Sequence, residues 1–108
     1  MMNPAVYAAR KVEKHARAAI DAATGAAQLV KASPTPSAWE YVDLACWRCR
    51  EVARAAESLT DLLDPEKAEN DPEIFRAHIR LTDIAKRVCA AADSLVALAD
   101  ARNHTIRR

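Results

Sequence analysis

Between positions 37 and 64, small apolar residues recur at alternating spacings of four and three: Ala38, Val42, Ala45, Cys49, Val52, Ala56, Leu59 and Leu63. Eight such positions in a row describe one stripe of a long helix, because a strand repeats every second residue. Two other segments carry the same pattern. The first runs through Ala5, Ala9, Val12, Ala16, Ala19, Ala23, Ala26 and Val30, widened by Val6, Ile20 and Ala27. The third runs through Ile74, Ala77, Leu81, Ile84, Val88, Ala91, Leu95 and Leu98, broadened by Phe75, Ala85, Cys89, Ala92, Val96 and Ala99. No segment reads as a strand.

Polar residues and prolines bound these stripes. Asn3-Pro4 is a helix start, a capping side chain followed by a proline at the first turn. Pro34 and Pro36 break the chain after the first segment. Ser37 with Glu40 three residues later reads as a capping box for the second helix. Asp64-Pro65-Glu66 closes that helix and an acidic linker runs to Asn70, after which Asp71-Pro72-Glu73 caps the third. The expectation is a single helical domain over 1–108 with helices at about 4–32, 37–64 and 72–102 and a basic frayed tail at 103–108. Gly25, the one glycine, lies inside the first pattern, where close helix approach or a slight bend would explain it. Short turns make neighbours antiparallel. The expected fold is therefore all-α, an elongated antiparallel three-helix bundle with coiled-coil-like packing.

Alanine supplies about half of the 51% apolar fraction, so the seams bury little area per residue and a lone monomer is weakly stabilised. Dimerisation into a larger bundle is the natural remedy. The net charge of +1 provides no field for nucleic acid or membrane, although it is unevenly spread. Residues 1–33 carry a net +3, 34–70 a net −4 and 71–108 a net +2, which suits complementary association within or between chains. Three cysteines, no secretory signal pattern and no run long enough for a membrane span make a reducing cytoplasm the expected compartment.

With Cys49 on the seam, Trp47 falls nearly opposite it, and Leu44, Trp47, Ala55 and Leu62 form a second stripe facing outward. Tryptophan is enriched at the centres of interfaces, so this stripe is the expected docking surface, for a second copy or another helical protein. The plainer alternative is that Trp47 folds back over the groove beside the third helix. Trp39, at the first turn, is expected to cover the end of the core.

Cys46-Trp47-Arg48-Cys49 has CxxC spacing, but redox pairs of this kind draw their low pKa from a helix N-terminus, and this one begins nine residues past Ser37. In a register pairing Leu63 with Ile74, Cys49 comes level with Cys89, and Cys46 lies a turn away. Three thiols could then form a Cu(I) or Zn site, a thiolate metal-binding bundle as a competing function. A fourth ligand is missing, since His78 and His15 lie turns away, and buried cysteine is common as a small core residue. The composition calls for no cofactor.

Arg10, Lys14, His15 and Arg17 on the first helix, and Arg76, Arg80 and Arg87 on the third, are the residues that could touch phosphate or nucleic acid. Glu13, Asp21, Glu73 and Asp83 interrupt both rows, as on ordinary solvated faces. Arg10 and His15 also have a spacing similar to that of helical-bundle ribonucleases, in which arginine positions a phosphate and histidine acts on a ribose hydroxyl. The carboxylate and Glu-x-x-His motifs of diiron bundles are absent, as are phosphate-cradling glycine loops and any Ser/His/Asp set. The favoured expectation is a non-catalytic adaptor, regulator or structural subunit.

Overall fold

The computed structural model describes residues 3–64, 66 and 71–106, with side chains through residue 103. Most of the expected acidic linker and the end of the basic tail lie outside the described residues. Three helices, α1 (Pro4–Ala32), α2 (Pro36–Leu62) and α3 (Pro72–Ile106), account for nearly all of the described residues, and no strand occurs among them. α3 continues to Ile106, past the expected limit near residue 102.

All three helices begin with the same device. A residue before proline is forced toward extended backbone, which is the conformation an N-cap requires, and proline itself fits the first helical turn. Asn3 Oδ1 accepts from the Ala5 N–H at 2.8 Å, Thr35 Oγ1 from Ala38 at 3.1 Å, and Asp71 Oδ1 from Glu73 at 3.0 Å. The second of these corrects the sequence reading. Ser37 and Glu40 form no capping box, because Thr35, extended at φ −91° and ψ 161°, holds the cap ahead of Pro36. At the other ends, the Ser33 N–H closes α1 onto the Leu29 carbonyl, and the Leu63 N–H closes α2 onto that of Leu59.

Each helix packs against the other two in an elongated all-α bundle of 58 × 22 × 15 Å. Its radius of gyration of 16.8 Å exceeds the roughly 13 Å of a compact chain this long. The length follows from α3 alone, since 35 residues at about 1.5 Å each extend some 52 Å.

Burial follows the expected seams with small displacements. Ala53 is buried and Val52 only partly; Val6 is buried and Ala5 only partly; Ala92 is buried and Ala91 only partly. A straight helix drifts by about 20° per heptad against a strict seven-residue repeat, which moves burial toward the next residue over several heptads, as in α2 and α3; Val6, in the first turn of α1, precedes any such drift. Two residues assigned to the broad stripe of α3, Phe75 and Cys89, are instead exposed.

What fills the core matters more than where it lies. Among the described residues, ten of the nineteen buried apolar residues are alanine, and only Leu63, Leu81 and Leu95 are large side chains buried to completion. Four of the five aromatic residues, Tyr7, Tyr41, Trp47 and Phe75, are more than half exposed, as are Leu44, Leu62 and Ile79. The largest apolar side chains therefore sit outside a core built of small ones.

Candidate functional site

Gly25 sits in the interior of α1 with nothing within 4 Å of where a Cβ would stand, so close helix approach does not explain it. It forms the floor of an open groove of about 320 Å³ between α1 and α2 instead, together with Ala22, Ala26 and Ala45. Leu29, Tyr41 and Leu44 rim this groove, each at least 44% exposed, and Arg48 closes one side with a charge. Small residues on one helix and large apolar residues beside them leave a hollow with protruding knobs. That is the shape another helix packs into.

The stripe expected on the outer side of α2 is present as exposed residues: Leu44, Trp47, Ala55 and Leu62 all face solvent. It does not form one surface. Leu44 rims the α1/α2 groove, whereas Trp47 lines a separate groove of about 340 Å³ between α2 and α3, beside Val42, Cys46, Leu95 and the charged Asp43 and Arg50. Trp47 thus borders the third helix yet remains 59% exposed. Leu29 and Tyr41 were missed in the sequence because neither falls on the α2 outer stripe. Their signal was side-chain size combined with a position just off the seam.

Trp39 is partly buried against the core, in a hollow shared with Val30 and Leu98. The Arg102 guanidinium lies 4.7 Å from its ring centre, a cation–π contact that ties the end of α3 to the start of α2.

The thiols of Cys46 and Cys49 point to different neighbours. Cys49 is fully buried and its Sγ–H donates to the Ala19 carbonyl of α1 at 3.6 Å, while the half-buried Cys46 donates to the Ala92 carbonyl of α3 at 3.9 Å. Burial pushes the Cys49 thiol above its ordinary pKa; neighbouring Cys46 and Cys89 add to this and Arg48 opposes it. The residue is a neutral core thiol, the opposite of a reactive thiolate. Cys89 is exposed, and no group of three or more His, Cys, Asp or Glu among the described residues could hold a metal ion. The Cys46, Cys49 and Cys89 donor set, the alternative reading of these residues, is therefore not assembled among the described residues. His78 stands apart, with a buried Nδ1 that has no hydrogen-bond partner among the described residues.

The two basic rows, separate in sequence, meet in space. Arg10, Lys14 and Arg17 of α1 share a cleft of about 410 Å³ with Arg80 of α3, around Glu13. Glu13 Oε1 accepts from Arg17 at 2.9 Å and from Arg80 at 3.0 Å, and Arg10 lies 3.9 Å from Glu73. His15 is exposed and does not line this cleft. Five residues along a helix turn it about 140° from Arg10.

No helix among the described residues is long and apolar enough to cross a membrane. Comparison with protein-family models, curated proteins and solved structures finds no match to this chain.

Proposed function

We propose that this chain is a non-catalytic assembly protein, a single helical domain that works as a homodimer, with its α1/α2 face as the interface. The observation that carries this reading is the inversion of side-chain size: alanine inside, and Leu29, Tyr41 and Leu44 outside around the hollow over Gly25. A twofold dimer needs a patch that is its own complement. Knobs beside a hollow on the same face meet that requirement, since each copy offers both. A stable interface takes roughly 800 Å² from each partner. That is about a tenth of this chain's 7521 Å² of accessible surface, and a face made of helices of 29 and 27 residues, each about 40 Å long, can supply it.

The reading includes an antiparallel order of chain neighbours with coiled-coil-like seams. Support comes from the thiol contacts of Cys49 with Ala19 and Cys46 with Ala92, and from the shared groove of Leu29 with Tyr41. The free cysteines suit a reducing cytoplasm. A helical segment of another protein could use the same groove. Sizing of the purified chain separates the cases: a dimer mass for the chain alone supports self-association, and a monomer at all concentrations leaves the groove to a different helix.

A further inference from the structure

The cleft between α1 and α3 concentrates positive charge that the fold only partly neutralises. Four cations, Arg10, Lys14, Arg17 and Arg80, surround one carboxylate, Glu13. That carboxylate is only 13% exposed, and one of its oxygens accepts from both Arg17 and Arg80. It acts as a fixed pivot holding two guanidinium groups side by side from different helices. Each guanidinium has five N–H donors in a rigid fork. One nitrogen of each contacts Glu13, and both arginine side chains remain more than 60% exposed. Arg10 has only a loose 3.9 Å contact with Glu73, and Lys14 forms no ion pair among the described residues.

Cations gathered with so few partners repel one another, and an anion with several charged oxygens relieves that repulsion through charge-assisted hydrogen bonds. The positive surface is also bounded. Along α3 the arginines at 76 and 80 are flanked by Glu73 and by Asp83, and Asp83 is paired with Arg87 at 3.2 Å. A nucleic-acid strand needs a continuous basic track; a cleft of about 410 Å³ closed by acids suits a compact ligand.

We propose that the α1/α3 cleft is a binding site for a small polyphosphate anion, held by Arg10, Lys14, Arg17 and Arg80. The test is calorimetric titration of the full chain with inorganic tripolyphosphate at low ionic strength. Saturable binding is expected, weakened about tenfold by Arg10→Ala and again by Lys14→Ala, the loss for one charge-assisted contact. Arg50→Ala and Arg54→Ala, on α2, should leave it unchanged. All four side chains are exposed, and circular dichroism of each variant verifies folding. Absence of saturable binding overturns the proposal. Equal weakening by the α2 variants also overturns it, because overall charge would then be the cause. Tighter, steeply salt-dependent binding of a short single-stranded RNA, with none of tripolyphosphate, overturns it in favour of a strand.

Discussion

Gly25 is helical, has no left-handed backbone and faces open space, so nothing in the fold of one chain requires glycine there. Alanine in a helix interior is better by about 0.5–1 kcal/mol. Gly25→Ala should therefore stabilise a chain held monomeric by Leu44→Asp by about that amount in urea unfolding. A loss of stability there would mean the glycine is needed inside the bundle. Cys49 allows a second prediction at this scale. Its folded pKa is raised, so the unfolded chain loses the thiol proton first as pH rises past the ordinary value of 9.0. Stability from the buried neutral thiol is complete below that pH and falls as pH rises toward the folded pKa. Chemical denaturation across this range should show a decline that Cys49→Ala reduces. Thiol titration at neutral pH should label Cys89 first and Cys49 only on unfolding.

At the scale of the helices, the starts were legible because proline and its preceding polar residue impose backbone angles locally. The same logic assigned to the wrong residue explains the misplaced cap at Ser37. Two motifs competed within three residues, and the steric demand of Pro36 on Thr35 prevailed over the Ser37/Glu40 pattern. Thr35→Ala should cost about 1 kcal/mol in thermal or chemical unfolding, whereas Ser37→Ala should be nearly neutral; the reverse order would restore the capping box. The seams were legible too, since period alone determines which face is apolar. Displacement from Val52 to Ala53 was not, because a drift of a few tens of degrees depends on how helices of this length pack.

For the whole molecule, what could not be read from the chain is the relation between elements. The α2 stripe contained Leu44 and Trp47 as one surface, but the neighbouring helices divide it, placing Leu44 over α1 and Trp47 over α3. The joining of Arg80 to Arg10, Lys14 and Arg17 depends likewise on the register between α1 and α3, which no local pattern encodes. That division sharpens the interface prediction. Leu44→Asp places a charge at the rim of the apolar groove and should disrupt a dimer strongly. Trp47→Asp, in the groove already lined by Asp43 and Arg50, should disrupt it less. The most direct measurement is sedimentation equilibrium of the unmodified chain and the Leu44→Asp variant at micromolar concentration. Twice the 11.8 kDa chain mass is expected for the first and a single-chain mass for the second. A monomeric wild-type chain, or a Leu44→Asp variant that remains a dimer, would contradict the proposed interface.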